Sequence, residues 1–192
     1  METFKVNVGI SNRHIHLSPE DLETLFGAGY KLTPTKDLSQ PGQFATAEQV
    51  TLVGPKGSME GVRILGPVRK ATQIELAATD TFKLGVKPPV RDSGDLRGTP
   101  GLEVVGPKGK IQLEHGTVIA ARHIHMTPED AKKYNLKDGD HVKVAVDGPR
   151  AGVFERVLIR VSPNYALDMH VDTDEGNAFG LKNGMQLDVI LE

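Results

Sequence analysis

The sequence predicts a mainly β protein with two similar β-barrel domains, and an internal repeat is the first reason. The stretch RHIHLSPED at 13–21 returns as RHIHMTPED at 122–130, 109 residues later and without a gap. A repeat this long indicates a duplicated structural unit. The 21 glycines and 12 prolines spread evenly, as in short strands joined by turns. We therefore expect two halves, 1–90 and 91–192, with short capping helices and an active site between the domains.

Composition excludes several classes of function. The net charge of −2 offers no basic surface for nucleic acid. The absence of cysteine excludes disulfides, thiolate metal ligands and a cysteine nucleophile. No apolar run approaches the ~20 residues of a membrane span. The N-terminus alternates like a strand and resembles no targeting peptide.

The elements of the first half follow from periodicity and turn residues. Alternation predicts a strand from Lys5 to about His16, and Ser18 should cap a helix over Glu20–Phe26. Residues 32–44 look irregular. The remaining expected elements are a hairpin at 54–57, a strand over 61–69, a short helical segment over 71–76 that carries Glu75, and a linker at 87–95.

The second half repeats this plan. Thr127 should cap a helix over 127–134, and residues 167–175 read mainly as a solvated acidic loop. An exchange of one element between the halves stays open. The other expected elements are hairpin turns at 106–109 and 146–150 and strands over 117–125, 141–146, 154–161 and 185–191.

The repeated His-x-His pairs predict metal binding. Side chains two apart on a strand share a face, so His14 points with His16 and His123 with His125. Two imidazoles can hold one metal ion, with further ligands from elsewhere; Glu75 and His170 are the candidates. For nitrogen and oxygen ligands zinc leads, while iron, cobalt and manganese stay open. His115 and His141 look like ordinary surface histidines.

Arginine is the second recurring feature. Arg13 and Arg122 precede the histidines, face away from them on a regular strand, and should pair with carboxylates. Arg69 follows a strand and leads toward Glu75, so its guanidinium is a candidate oxyanion or phosphate site. Lys56 and Arg63, on or beside the first hairpin, could hold further anionic groups, although spacing alone favours exposed strand charges.

Four stretches together resemble the PduL-type phosphate acyltransferases (phosphate propanoyltransferase, phosphotransacylase). The resemblance runs from Val8 to Leu191 and is carried by SNRHIHLS at 11–18, GPVRKATQIE at 66–75, ARHIHM at 121–126 and MHVDTDEGNA at 169–178. It implies two β-barrels with a dimetal site, normally zinc, and acyl transfer between coenzyme A and phosphate. It also implies small-molecule substrates and a homo-oligomer, with a dimer favoured.

Residue roles come from the same resemblance. It implies that Arg69 binds phosphate, that one metal is held by His14, His16 and Glu75, and that the other is held by His123, His125 and His170. Contacts to coenzyme A are implied for Ile10, Ser11, Asn12, Lys56, Arg63 and Asn177. Members packaged in microcompartments often carry an amphipathic extension at the N-terminus. Here thirteen residues precede His14 and read as strand, so we expect a cytosolic enzyme.

Without cysteine or a recognisable serine elbow, we expect phosphate to attack the thioester directly, with no acyl-enzyme. One rival is a binding module in which the histidine pairs are structural staples. Ligand number separates the two, because a structural zinc site is closed by four protein ligands. The other rival is a dinuclear hydrolase of phosphoesters or thioesters, for which bridging carboxylates are few.

Overall fold

The computed structural model describes residues 2–191, which group into two compact units. The barrel unit contains residues 2–11, 39–41 and 121–191. The open-sheet unit contains residues 12–38 and 42–120. The expected halves, divided at residue 90, differ from these units at three places. Residues 2–11 and 39–41 fall in the first half but in the barrel unit, and residues 91–120 fall in the second half but in the open-sheet unit.

Residues 2–191 contain four short helices and fifteen strands. The helices are α1 (Pro19–Phe26), α2 (Ala78–Leu84), α3 (Pro128–Lys133) and α4 (Thr173–Phe179). The strands are β1 (Glu2–Ser11), β2 (His14–His16), β3 (Pro34–Asp37), β4 (Phe44–Val53), β5 (Ser58–Gly66), β6 (Gln73–Glu75), β7 (Val90–Arg91), β8 (Glu103–Val105), β9 (Lys110–Gln112), β10 (Thr117–Ala120), β11 (His123–Met126), β12 (His141–Val146), β13 (Gly152–Val161), β14 (Asp168–Asp172) and β15 (Gln186–Leu191).

Six strands close the barrel unit in the order β1-β14-β11-β13-β12-β15. Its core follows from alternation, since every second residue of a strand faces the same side. In β1, Phe4, Val6 and Val8 are buried while Asn7 is exposed. β1 closes the ring by pairing antiparallel with β15 and parallel with β14. The expected mainly β fold and one of the two expected barrels are confirmed.

The second unit has a curled, open nine-stranded sheet in the order β7-β10-β6-β2-β5-β4-β8-β9, with β3 on β4. Here the expected second barrel is not closed by strand pairing. β9 pairs with β8 and β10 pairs with β6, but residues 113–116 between β9 and β10 belong to neither strand. Gly116 has a φ of 115°, and a Cβ there would lie 2.8 Å from the Thr72 carbonyl oxygen. In the barrel unit, the single strand β1 pairs parallel with β14 and antiparallel with β15. In the open-sheet unit, the corresponding pairings are made by two separate strands, β10 with β6 and β9 with β8.

The strand before each His-x-His pair belongs to the other unit. β1 ends at Ser11 in the barrel unit, and β2 follows in the open-sheet unit. β10 ends at Ala120 in the open-sheet unit, and β11 follows in the barrel unit. Positions 11 and 120 are 109 residues apart, which is the offset of the sequence repeat. The exchange is therefore part of what was duplicated.

Two local predictions were wrong. The expected helical segment over 71–76 is instead strand β6, because Ile74 is fully buried and β6 pairs with both β2 and β10. Tertiary pairing overrides local helix preference there. The expected acidic loop at 167–175 is strand β14 followed by helix α4. Asp172 caps that helix and accepts a hydrogen bond from the backbone N–H of Glu175 (2.8 Å).

Smaller differences concern strand ends. Residues 12–13 interrupt the strand expected to reach His16, and β3 occupies part of the stretch that looked irregular. The helix caps are confirmed, since Ser18 and Thr127 each accept from the backbone N–H three residues later at 3.1 Å. The hairpins at 54–57, 106–109 and 146–150 are confirmed as well, as β4–β5, β8–β9 and β12–β13.

Candidate metal sites

Both His-x-His pairs lie on the sheet face that points away from the hydrophobic core. Ile15 is fully buried in the core of the open-sheet unit, so alternation turns His14 and His16 to the opposite face. In β11, Ile124 and Met126 are fully buried in the core of the barrel unit, so His123 and His125 likewise lie on the opposite face. All four imidazoles are nevertheless buried. These are therefore not the solvated histidines of a wet strand face.

The first cluster consists of His14, His16 and Glu75, whose ligand atoms lie within 4.8 Å of one another. Antiparallel pairing of β2 with β6 places Glu75 opposite His14, and Glu75 Oε2 lies 3.5 Å from His14 Nε2. The other ring nitrogen, His14 Nδ1, lies 2.8 Å from the carbonyl oxygen of Asn12. A ring that donates to a carbonyl through Nδ1 presents Nε2 as its lone pair, which suits a metal ion.

His16 is held as a neutral imidazole. Burial, together with the charges of His14 and Arg69, lowers the pKa of His16 to about 3. Its ring hydrogen-bonds the Leu65 backbone, while its Nδ1 is buried with no hydrogen-bond partner in the described chain. A buried polar atom without a partner is costly. A bound cation would satisfy this nitrogen, so the residues fit a metal ion.

Glu75 supplies negative charge to the first cluster. Burial opposes its ionisation, but His14, His16, a hydrogen bond from Ser93 and the charge of Arg69 outweigh burial and lower the pKa of Glu75 to about 2. Its Oε1 accepts hydrogen bonds from Gln73 Nε2 at 2.6 Å and Ser93 Oγ at 2.8 Å. These bonds fix the carboxylate, whose side chain is 12% exposed. Oε2 remains directed at the histidines.

The second cluster consists of His123, His125 and His170, again with ligand atoms within 4.8 Å. The three rings pack edge to face, with centroids 4.6 to 5.4 Å apart. His123 Nδ1 lies 2.7 Å from the Ala121 carbonyl oxygen, as His14 does from Asn12. Buried Asp168 places Oδ2 3.0 Å from His170 Nε2. A histidine cluster with an adjacent carboxylate also suits a divalent metal.

The two clusters have the same plan. Glu75 lies opposite His14 in the β2–β6 pairing, and His170 lies opposite His123 in the β11–β14 pairing. The third member of each cluster therefore occupies the same register position. Two residues earlier stand Gln73 and Asp168, each bonded to the third member of its cluster. With this neighbour included, each cluster has four residues and one carboxylate. In the first cluster the carboxylate is Glu75, a candidate ligand; in the second it is Asp168, which supports the ligand candidate His170.

The sequence did not identify several supporting residues. Ser39 Oγ lies 3.2 Å from His170 Nε2, and the Tyr165 ring centroid lies 4.3 Å from that of His125. Gly9 lies opposite His170, and a Cβ there would come within 3.0 Å of the His170 ring. None of these residues carries a motif. The only signal in the sequence was the glycine within an otherwise regularly alternating strand.

The arginines before the histidines pair with carboxylates, as expected. Arg13 donates to Asp80 through Nε at 2.8 Å, and Arg122 donates to Glu175 through Nη1 at 2.7 Å. Asp80 and Glu175 are both the third residue of the helix that follows the third cluster member. Each arginine therefore ties the start of a His-x-His strand to the N-terminus of α2 or α4.

Arg69 lies in the open-sheet unit between β5 and β6. Its backbone N–H donates to the Leu17 carbonyl at 2.9 Å. Its charge helps to lower the pKa of both His16 and Glu75, which puts the guanidinium in the electrostatic environment of the first cluster. A half-buried guanidinium near a metal site is suited to bind an oxyanion.

The residues implied in coenzyme A binding divide between the units. In the barrel unit Ile10 packs against α4, which carries the exposed Asn177, and Ser11 follows at the end of β1. In the open-sheet unit Arg63 lies opposite His14 across the β2–β5 pairing. The remaining members of that unit are exposed: Asn12, directly before Arg13, and Lys56, in the β4–β5 turn.

Across residues 2–191 these two clusters are the groups of three or more potential ligands that the fold assembles. Within the same range, no helix combines the length and apolar character needed to cross a bilayer. His115 and His141 are exposed, in agreement with the sequence. The two clusters could each bind a metal ion, and three protein ligands is the number found in catalytic zinc sites rather than in closed structural ones.

Comparison with known proteins points to one family. The family model for phosphate propanoyltransferase matches residues 7–182. Three relatives, all named phosphate propanoyltransferase, are those of Thermotoga maritima (62% identity over 92% of this chain and 85% of the relative), Rhodopseudomonas palustris (53%, 95% and 81%) and Listeria monocytogenes (48%, 96% and 87%). The chain belongs to the phosphate propanoyltransferase family.

Proposed function

We propose that this chain transfers a short acyl group, propanoyl first, between coenzyme A and inorganic phosphate, with a divalent metal ion in each cluster. Family membership supports the reaction. The observation that carries the metal dependence is the pair of buried three-residue clusters built at equivalent register positions. Three protein ligands leave a position for substrate, whereas a structural zinc site uses four. This favours catalysis over the structural-staple alternative.

The proposed ions are zinc, given ligand sets rich in imidazole and free of thiolate. Bound divalent ions supply Lewis-acid chemistry, polarising phosphoryl and carbonyl oxygens. The proposed ligands are His14, His16 and Glu75 for one ion, and His123, His125 and His170 for the other. Gln73 and Asp168 orient the third ligand of each set: Gln73 donates a hydrogen bond to Glu75, and Asp168 accepts one from the His170 ring.

Arg69 binds and orients the attacking phosphate in this scheme. Its guanidinium offsets the repulsion between phosphate and the negatively charged acyl-coenzyme A, and its planar fork can hold two phosphate oxygens. A phosphate oxygen then attacks the thioester carbonyl carbon. As the C–O bond forms, the C–S bond breaks and its electron pair leaves on the coenzyme A sulfur. The reverse reaction begins with that sulfur attacking propanoyl phosphate.

We propose no acyl-enzyme intermediate. The chain has no cysteine, and Ser39, which contacts His170, is poorly arranged for nucleophilic catalysis. Ser39 Oγ and Asp168 Oδ2 both face His170 Nε2, whereas a Ser-His-Asp triad uses opposite ring nitrogens. Incubation with labelled propanoyl-coenzyme A, without phosphate, should leave the denatured protein unlabelled. Stoichiometric label on a side chain would contradict direct transfer.

Coenzyme A is proposed to contact Ile10, Ser11, Asn12, Lys56, Arg63 and Asn177. Arg63 has the strongest support, because it lies opposite His14 in register and is an exposed residue. Its Nη1 donates to the Thr46 carbonyl at 2.9 Å, which leaves other guanidinium donors for a phosphate. The test is the KM for coenzyme A in Arg63→Met, which should rise while the KM for phosphate stays near that of wild type.

The central experiment measures thioester formation from propanoyl phosphate and coenzyme A. The metal-loaded protein should form the thioester, the chelated protein should not, and restored zinc should return activity. Metal analysis should find about two ions per chain. Full activity after complete metal removal would refute the metal role. Hydrolysis of the acyl phosphate at an equal rate without coenzyme A would favour the hydrolase alternative.

A further inference from the structure

Arg160 lies beside the second cluster and has no role in the scheme above. Parallel pairing of β11 with β13 places it opposite His125. Residues paired across neighbouring strands share a face of the sheet. Its chain neighbours Ile159 and Val161 pack with the barrel core, so Arg160 leaves the sheet on the outer face, with His125.

The other half carries an arginine on the corresponding strand. β2 pairs with β5 as β11 pairs with β13, and this places Arg63 opposite His14. In the barrel unit the residue opposite His123 is Leu158, and the arginine comes at the next outer position. Each unit therefore has an arginine on the cluster face of this strand, opposite a histidine of its pair. The sequence repeat does not reveal this match, because Arg160 lies two residues beyond Leu158, which is the position that corresponds to Arg63.

The guanidinium of Arg160 has donors to spare. It is half-buried, and its Cζ lies 5.8 Å from the ring centroid of Tyr165, the ring that packs on His125. Within residues 2–191 no carboxylate or carbonyl is bonded to it, whereas Arg122 bonds Glu175 and the Glu155 carbonyl. An aromatic face attracts a cation but leaves the five N–H donors of arginine available.

The acid on the same face does not neutralise this charge. Asp168 lies opposite His125 on the strand at the other side, β14. The row Asp168, His125, Arg160 therefore spans two strand spacings, about 10 Å. Asp168 is already directed at His170. A half-buried cation at the rim of a metal site is thus left for a ligand of opposite charge.

We propose that Arg160 binds a phosphoryl group of a substrate at the second cluster. The planar guanidinium matches two phosphoryl oxygens, which a lysine ammonium does not. This inference rests on the proposed function, whose substrates carry phosphoryl groups from two sources. One is inorganic phosphate or the acyl phosphate; the other is the set of phosphates on coenzyme A.

The test compares metal-loaded wild type with Arg160→Met, which keeps an apolar stem against Tyr165, and Arg160→Lys, which keeps only the charge. Arg156→Met is the matched control, since Arg156 is on the same strand, exposed, and outside the clusters. Calorimetry with inorganic phosphate and, separately, coenzyme A gives each Kd. Steady-state kinetics give each KM, and metal analysis gives the ions per chain.

For Arg160→Met we expect the Kd and KM of one ligand to rise about tenfold or more, with metal content unchanged. A rise in the Kd and KM of phosphate shows that Arg160 binds inorganic phosphate or the acyl phosphate. A rise for coenzyme A that disappears when propanoyl-pantetheine replaces propanoyl-coenzyme A shows that Arg160 binds a phosphate of coenzyme A. Values within about twofold of wild type for both ligands, or loss of one metal ion per chain, would overturn the proposal. A wild type that binds both ligands without turnover would contradict the proposed function instead.

Discussion

Replacing Gly9 with alanine tests the second cluster from outside its ligand set. Gly9 lies opposite His170, and a Cβ there would be 3.0 Å from His170 Cδ2 and 3.4 Å from Nε2. Ordinary carbon contacts lie at about 3.5–4.0 Å, so the ring must move by about 0.5 Å. Metal–ligand distances tolerate only about 0.2 Å. We therefore expect Gly9→Ala to weaken metal binding at the second cluster about 10–100-fold.

The assay is titration of the loaded protein with a chelator, followed by metal analysis. Wild type should hold about two ions per chain, and Gly9→Ala should release one of them at lower chelator concentration. Asn7→Ala is the control, because Asn7 lies on the same strand and is exposed. Gly9 has no left-handed φ, so alanine suits its backbone and the effect should be confined to metal binding. Equal chelator resistance in Gly9→Ala and wild type would refute the reasoning.

Three further predictions concern single side chains. His16→Ala should lose activity and about one metal ion per chain, while His115→Ala, at an exposed position, should lose neither; metal analysis with the thioester assay decides this. Arg69→Lys should raise the phosphate KM or lower kcat by about tenfold, since the ammonium lacks the planar fork; a wild-type KM and kcat would contradict the role of Arg69. Thr117→Val should raise the free energy of unfolding in urea by about 1 kcal/mol, because the buried Thr117 hydroxyl has no partner in the described chain and Val8 fills the equivalent position in β1; a loss of stability would contradict this.

The histidine pairs were accessible to sequence analysis because the duplication marked them. Period-two alternation then required His14 and His16, and equally His123 and His125, to share a face, as they do. Burial of all four could not be read from the pattern, since a wet strand face alternates in the same way. The resemblance to the family brought Glu75 and His170 into the same groups, although Glu75 was expected on a helix and lies on strand β6.

The features that sequence analysis did not predict depend on pairing between segments far apart in the chain. Asp168 looked like part of a solvated acidic loop because its neighbours are acidic; its burial comes from the pairing of β14 with β11. Whether the second sheet closes depends on one irregular turn at 113–116, which no periodicity reveals. Ser39 reaches His170 from 131 residues away. Such contacts follow from long-range register, which local propensity does not encode.

The exchanged first strand has a consequence for how the protein is made. β1 is synthesised first, yet its barrel partner β15 is synthesised last, and the Lys5–Asp188 ion pair of 2.7 Å spans 183 residues. The barrel cannot close until β15 has left the ribosome, and long-range pairing of this kind folds slowly. Until β15 is available, the edge of β1 that pairs with it is exposed and open to aggregation. A cut at residue 90 would leave β1 of the barrel unit on the first fragment, and β8, β9 and β10 of the open-sheet unit on the second, so neither fragment could complete its main unit alone.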